Sequence, residues 1–473
     1  MMSAPITALF RRFTGRLLRL VATFFLLSIS LGLSSLSVAE ASTADKSATS
    51  PTNIVIDTEL QTTLSDLERE SLESAWQIAL AQNHQFKARK EHQLAALDQV
   101  AEVKAQRLPN LTLSANYLSL DNPPTIQSNF AGIDFTFSYW EQNALYYSVY
   151  SSLPLYTSGR IKASLAAATE QADAAQFDTA SERQDLKMAV AKAYIDILRA
   201  NHGLLLAKSH LASLKKHQAD VSNLKLQGLV SRGDLLSANV SLANANQTLS
   251  RTRNLSELAF AAYNQLLGRE LDIKPLLREP EAHIFSNNLD ELTLRAMQQR
   301  EELRALRKRA NALQYQATSV KAASKPQVVM GGGYAYQENK NQLYEDIWFA
   351  NVGMVWTLFD GGSARHRSNH LNRQANALKA QHDNLGELIR LQVRQAWLQI
   401  GETRERVEVA QGSIAEAEEN LKVTRNRYQE GLSSHTEVLD AETLRIKSRS
   451  NHANALYDSI LAGLQLERAV GNL

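Results

Sequence analysis

The sequence of 473 residues contains no cysteine, and only nine of its residues are proline. The absence of cysteine excludes a disulfide framework, a thiolate metal site, a cysteine nucleophile and a lipid-modified N-terminal cysteine. Charged residues make up 21% of the chain and its mean hydropathy is −0.29, which excludes a polytopic helical membrane protein. A large, regular chain remains, and these quantities leave its function open.

The first 41 residues have the three regions of a secretory signal peptide. Four arginines, ending at Arg19, accompany an apolar run from Leu17 to Leu36, and small residues follow up to Ala41. A transmembrane anchor is the alternative, because the run is about 20 residues long. Cleavage would remove four arginines and one glutamate, leaving 47 basic and 48 acidic residues, so no charge excess favours nucleic acid as a partner. Residues 42–70, rich in Ser, Thr and Ala, are predicted to be a linker.

The rest of the chain repeats itself. Identical residue types recur 203 positions apart, as at Gly159 and Gly362, and 217 positions apart further upstream, as at Pro109 and Pro326. This pattern predicts a tandem duplication, with repeat 1 at 71–268, a connecting linker at 269–287 and repeat 2 at 288–473. The change of offset predicts a longer loop between the strands of repeat 1.

Two segments without proline, 158–274 and everything after Pro326, are free to form very long helices. A helix from Gly159 to about Gln227 would reach about 100 Å, and Gly228 and Gly431 are predicted to end the long helices in turns that lead to shorter antiparallel helices. Apolar residues at alternating steps of four and three, many of them alanine, predict coiled-coil seams. The seams include Leu186, Val190, Ala193, Ile197 and Ala200 in repeat 1, and Ile389, Val393, Ala396, Ile400 and Thr403 in repeat 2.

Each repeat also contains two predicted strands of about ten residues, with aromatic residues near their ends, which is typical of a transmembrane barrel wall. An ordinary β-sandwich is the alternative. Four strands cannot close a barrel, and open edges in lipid would leave backbone groups unpaired, so we expect subunits to share the barrel. The residues predicted to face lipid are Tyr147, Val149, Leu153, Val352, Met354 and Trp356.

Candidate sites for chemistry are few. His366 and His370 have the spacing of a metal-binding pair, but Arg365 and Arg367 beside them favour a solvated basic face. The glycines at 331–333 lie inside a predicted strand, so they indicate close strand packing instead of a dinucleotide-binding loop. We find no catalytic motif and predict no enzymatic activity, no cofactor and no metal.

The element order, together with the turns at 227–231 and 430–434, resembles the TolC family of outer-membrane efflux proteins over about residues 71–473. The resemblance implies a mainly α fold with transmembrane β structure, built from a tandem helix-strand-strand-helix-helix repeat. Three chains would share a 12-stranded β-barrel in the cell outer membrane, and a long α-helical coiled-coil barrel would extend into the periplasm. The homotrimer would be the passive exit duct of a tripartite efflux or type I secretion system. An inner-membrane pump of RND, ABC or MFS type would drive it through a periplasmic adaptor.

The resemblance also implies roles for residues at the turns. Glu437 and Asp440 fall on the acidic periplasmic constriction, with Asp234 at the matching place in repeat 1; favourable interaction with the helix dipole is the alternative role for these carboxylates. Tyr428 falls on the tyrosine of the family's gate network, and Ser433 stands where that network has an arginine. The polar contacts that close the gate are therefore expected to be weaker or to be formed by other residues; His435 is nearby. The residues expected to dock the adaptor are Gly228, Leu229, Ser231, Gly431, Leu432 and Ser434.

Two other classes remain open at this point. A structural coiled-coil protein of the cell envelope would explain the heptads but would leave the signal peptide and the strands without a role. A periplasmic adaptor would share the helical hairpins, but it would be expected to have one hairpin flanked by compact β-domains instead of a full duplication. The sequence identifies neither the cargo nor the pump.

Overall fold

The computed structural model describes residues 69–280, 288–340 and 342–473; the predicted signal peptide and nearly all of the 42–70 linker lie outside these ranges. The helices are α1 (Leu72–Gln82), α2 (His84–Ala105), α3 (Arg160–Leu226), α4 (Arg232–Leu267), α5 (Leu289–Gln299), α6 (Glu301–Ala323), α7 (Ser363–Gln429) and α8 (His435–Val470). The strands are β1 (Asn110–Ser119), β2 (Thr125–Phe130), β3 (Ile133–Ser138), β4 (Asn143–Tyr156), β5 (Gln327–Gln337) and β6 (Asp346–Val355).

The two halves of the chain have matching elements. Helices α3 and α7 each have 67 residues, and α4 and α8 each have 36. The long helix predicted from Gly159 to about Gln227 therefore forms, with these two residues as its caps. Gly159 and Gly362, which precede α3 and α7, both have positive φ angles, of 85° and 84°, a conformation that favours glycine.

The helices pack as the heptad pattern predicts. Helix α3 pairs with α4, and α7 pairs with α8, while α6 packs against both long helices. Val190, Ile197, Ile389 and Val393 on the predicted seams are fully buried. No helix within the described ranges has an apolar stretch sufficient to cross a bilayer.

The connection after α4 is tied to the start of the described chain. Glu70 forms a parallel bridge with Leu277, and the Arg269 guanidinium lies 2.8 Å from a Glu70 carboxylate oxygen. The Tyr194 hydroxyl of α3 lies within 2.7 Å of the carbonyl oxygens of Glu70 and Arg278. These contacts hold the connection against the middle of the helical region.

Four strands form one antiparallel sheet in the order β1-β4-β5-β6. Asn110 pairs with Ser152 and Gln327 pairs with Val355, so every connection between this sheet and a helix leaves from the same end of the sheet. Close packing of the glycine-rich strand is confirmed. A Cβ atom on Gly333 would lie 2.1 Å from the Val149 carbonyl oxygen, far inside contact distance.

The four predicted strands form this sheet, but the sequence did not predict two further, shorter strands. The longer loop of repeat 1 contains a separate two-stranded sheet, β2 and β3, joined at Ala131 and Gly132, both with positive φ. Apolar and polar residues alternate in this short hairpin, with Ile126 and Phe130 in β2 and Ile133, Phe135 and Phe137 in β3. The hairpin was not predicted because Pro123 and Pro124, just before β2, are typical of a loop.

The register places most of the predicted lipid-facing residues on one face of the four-stranded sheet. Val149 lies opposite Tyr334, Leu153 opposite Met330, and Met330 opposite Val352. Tyr147 and Met354 share this face by the two-residue alternation of their strands. Trp356, by contrast, was predicted within a strand but follows Val355, the last residue of β6.

Candidate functional site at the helical turns

The turn between α3 and α4 is closed by backbone bonds and a capping box. Gly228 has φ 79°, and the Leu229 N–H donates to the Leu224 carbonyl oxygen at 3.0 Å. Ser231 then caps α4. The backbone N–H of Asp234 donates to the Ser231 hydroxyl, while the Ser231 N–H donates to the Asp234 carboxylate at 3.0 Å. Hydrogen bonds from Ser231 lower the pKa of Asp234.

The turn between α7 and α8 repeats this design. Gly431 has φ 73°, and Ser434 forms a capping box with Glu437. The Ser433 hydroxyl also donates to Glu437, at 2.7 Å, so both serines bind the same carboxylate. Hydrogen bonds from Ser433 and then Ser434 lower the pKa of Glu437.

The two turns pack together through a small apolar cluster. Val221 of α3, Ala238 of α4, Tyr428 of α7 and Val438 of α8 are all buried in it. The equivalent ends of the two helical hairpins therefore meet in one place. Burial of these apolar side chains stabilises the contact between the two turns.

Beside this cluster lies a buried pair of histidines. His217 Nε2 is 2.9 Å from His435 Nδ1, and the two rings are stacked with their centroids 4.9 Å apart. The Tyr428 ring lies 5.5 Å from that of His217. Burial, assisted by the nearby His435 and Arg425, lowers the pKa of His217 to about 4, and burial also lowers the pKa of His435.

Further along α8, Glu442 is buried beside two arginines and a histidine. Its carboxylate lies 2.7 Å from the Arg445 guanidinium and 3.3 Å from His210 Nδ1, and an Arg425 nitrogen is 3.7 Å away. Burial alone would raise the pKa of Glu442, but hydrogen bonds from His210 and Arg445 lower it to about 2. The carboxylate is thus ionised and links α3, α7 and α8.

The sequence profile of the outer membrane efflux protein family matches residues 75–269 and 292–472. The chain belongs to this family. It is therefore an outer-membrane efflux channel, located in the outer membrane, and the adaptor and structural coiled-coil alternatives are set aside.

Relatives of known identity agree with this assignment. The outer membrane protein TolC of Vibrio cholerae serotype O1 is 23% identical over 400 residues, which cover 80% of this chain and 85% of that protein. The CmeC outer membrane channel of Campylobacter jejuni matches with a TM-score of 0.74 and 16% identity, over 93% of this chain and 94% of CmeC. The outer membrane protein VceC of Vibrio cholerae matches with a TM-score of 0.71 and 18% identity, over 85% and 96%. These two structures share the fold of this outer membrane efflux protein.

The predicted gate residues have distinct environments in this efflux protein. Glu437 and Asp440 are exposed near the start of α8, and Glu437 caps that helix. Ser433, at the position of the expected arginine, binds Glu437 of its own chain. Tyr428 is buried, and its hydroxyl has no hydrogen-bond partner among the described residues. Burial and the charges of Asp234 and Asp220 raise the pKa of Tyr428.

Sequence reasoning missed His217 and Glu442, although one signal was available. His217 stands three residues after Leu214 and four before Val221, which is the spacing of a buried seam position. His366 and His370, which the sequence brought forward as possible metal ligands, are exposed. Within the described ranges there is no cluster of three or more potential ligands for a metal ion.

The depressed pKa of His217 predicts a pH-dependent stability. Between pH 6.5 and about 4 the unfolded chain binds a proton at this histidine and the folded chain does not, so the free energy of unfolding should decrease as pH falls through this window. We expect a loss on the order of 1–2 kcal/mol between pH 6.5 and pH 5 from this group. His217→Gln should reduce the pH dependence, measured by guanidinium unfolding of the detergent-solubilised protein. His370→Gln, at an exposed histidine, is the control, and an unchanged pH dependence in His217→Gln would contradict the assignment.

Proposed function

We propose that three copies of this chain form the passive exit duct of a tripartite efflux or type I secretion system. The observation that carries this proposal is the four-stranded sheet, which has one apolar face and two edge strands, β1 and β6, that pair with no other described strand. A sheet in lipid must have its edges paired, and four strands are too few to close on themselves. Three chains would supply twelve strands, with β1 of each chain beside β6 of the next.

The helical hairpins support the second half of the proposal. At 1.5 Å per residue, a helix of 67 residues is about 100 Å long, which is far more than a sheet-bound domain requires. Because α3 and α7 both start at the same end of the sheet, they can continue a shared barrel into a tunnel that extends through the periplasm. We infer that residues 71–268 and 288–473 are the two copies of a tandem duplication, joined by 269–287.

The turns are the proposed docking points for a periplasmic adaptor. Leu229 and Leu432, which follow the turn glycines, are 69% and 65% exposed, although both are large apolar side chains. A partner that covers these leucines would bury apolar area at the end of each hairpin. Because the proposed duct is passive, the energy for transport would come from an inner-membrane pump of RND, ABC or MFS type, which the adaptor would connect to the duct.

The orientation of the sheet can be tested by placing a charge on each face. Val352 lies on the apolar face that we propose contacts lipid, and Asn351 lies on the opposite face. Val352→Arg should cost about 2–4 kcal/mol near the bilayer midplane and strongly reduce the amount of protein in outer-membrane fractions. Asn351→Arg is the matched control and should be tolerated. Equal loss in both variants would contradict the proposed faces.

The periplasmic constriction predicts a selectivity. In a trimer, Glu437 and Asp440 would place six carboxylates around one opening, and field focusing there would favour cations. We expect a cation-selective conductance in planar bilayers that trivalent metal ions block from the periplasmic side. The block should be lost in the double variant Glu437→Gln, Asp440→Asn, in which glutamine can retain the helix cap.

The control for this measurement removes two exposed acidic charges away from the turns, in Glu270→Gln, Asp272→Asn, and should retain both selectivity and block. An undiminished block in the Glu437, Asp440 double variant would place the constriction elsewhere. A protein that forms no channels at all would contradict the proposed function itself.

A further inference from the structure

All four junctions between the large sheet and the helices lie at one end of the sheet. Strand β1 follows α2 and β5 follows α6, while β4 leads into α3 and β6 leads into α7. The antiparallel register brings these strand ends side by side, as the pairs of Asn110 with Ser152 and of Gln327 with Val355 show. Side chains near these four strand ends therefore occupy one level of the molecule.

This level is basic, although the whole chain is almost neutral, with 51 basic and 49 acidic residues. In the ten residues that adjoin each of these four strand ends on the helix side, there are seven basic residues and two acidic ones, Glu102 and Asp360. The Asp360 carboxylate accepts hydrogen bonds from the backbone of Gly362 and Ala364 at 2.9 and 2.8 Å, so it serves as a cap. Six of the seven basic residues are exposed, and we call them the basic collar: Lys104, Arg107, Lys162, Lys321, Lys325 and Arg365.

The basic collar differs from the basic residues in the middle of the helical region. None of its six residues forms an ion pair with another described residue, whereas Arg199 pairs with Asp458 at 2.8 Å. The seventh basic residue, Arg160, is half-buried and donates to the Gln327 side chain at 3.2 Å. The positive charge of the collar is therefore not neutralised within the described part of the chain.

Large apolar side chains are exposed at the same level. Leu108, Tyr156, Trp356, Leu358 and Phe359 are between 53% and 88% exposed, and each lies in one of the same junctions. Aromatic residues beside lysine and arginine are typical of the boundary between hydrocarbon and headgroups, where the rings enter the interface and the charges meet phosphates.

The opposite end of the sheet has the reverse charge. The connections 120–142 and 338–345 contain five acidic residues and one basic residue, Lys340. The sheet is therefore polarised along its strands, with an excess of positive charge at the end that joins the helices and an excess of negative charge at the other. A protein surface that is basic throughout would not have this distribution of charge. Contact with an anionic partner surface at the helix-bearing end alone would explain it.

We propose that the basic collar binds the anionic phospholipid headgroups of the membrane leaflet nearest the helices. The inference rests on the proposed function, in which the sheet crosses the outer membrane and the helices extend into the periplasm. Each lysine or arginine held near an anionic surface contributes about fivefold to membrane affinity, and the contribution falls with added salt. The collar would thereby set the depth and the orientation of the barrel in the bilayer.

The test compares phosphatidylglycerol and phosphatidylcholine binding to the purified full-length protein in detergent. Wild type should bind phosphatidylglycerol at least about tenfold more tightly at low ionic strength, and the preference should disappear near 1 M salt, where the Debye length is about 3 Å. The variant Lys104→Gln, Lys162→Gln, Lys321→Gln, Lys325→Gln should lose the preference. The control replaces four exposed lysines of the hairpins by glutamine, Lys208, Lys215, Lys216 and Lys447, and should keep it.

Several results would overturn the collar. These are the absence of a preference in wild type, a preference that salt does not weaken, and an equal loss in the control variant. Displacement of phosphatidylglycerol by an equal concentration of soluble glycerol phosphate would indicate a free phosphate site instead of a lipid surface.

Channel formation in planar bilayers by the same preparations reports separately on the proposed function. Channels without a phosphatidylglycerol preference would overturn the collar alone. A preference without channels would contradict the duct alone.

Discussion

The backbone groups at the two edges of the four-stranded sheet constrain the rest of the structure. Each edge strand presents N–H and C=O groups that must find partners, and in a bilayer no water is available to supply them. A chain with four strands in this sheet cannot satisfy both edges by itself. In the proposed assembly, further copies of the chain would supply these partners, and the long helices would then have to stay aligned with the shared ring of strands.

Contacts within the helical region fix the helices of one chain relative to one another. Buried seam residues fix α3 against α4 and α7 against α8, and the histidine pair and the ionised Glu442 join α3 to the second hairpin near the turns. The turns use the same devices twice, a glycine with positive φ followed by a serine cap and an acidic residue three positions later. The ends of the two hairpins are thereby held together at the turns.

Much of this architecture could be predicted from sequence because its signals are local and repeated. The proline-free segments and heptads placed α3 within one residue of its observed ends, and the glycine run correctly indicated close strands. The hairpin β2–β3 was missed because two prolines beside short strands read as a loop. The partners of His217 and Glu442 were also missed, since contacts between α3 and α8 join residues more than 200 positions apart, which no local pattern reveals.

The central claim is that neighbouring chains share one barrel through β1 and β6. Because the chain has no cysteine, cysteines can be introduced without background. Ala115→Cys in β1 would be combined in turn with cysteine substitutions at Trp348, Ala350, Val352 and Met354 in β6, and the oxidised outer membranes would be analysed by denaturing electrophoresis. The account predicts covalent trimers for at least one pair and monomers for every single-cysteine variant. Monomers for all of the pairs would contradict it.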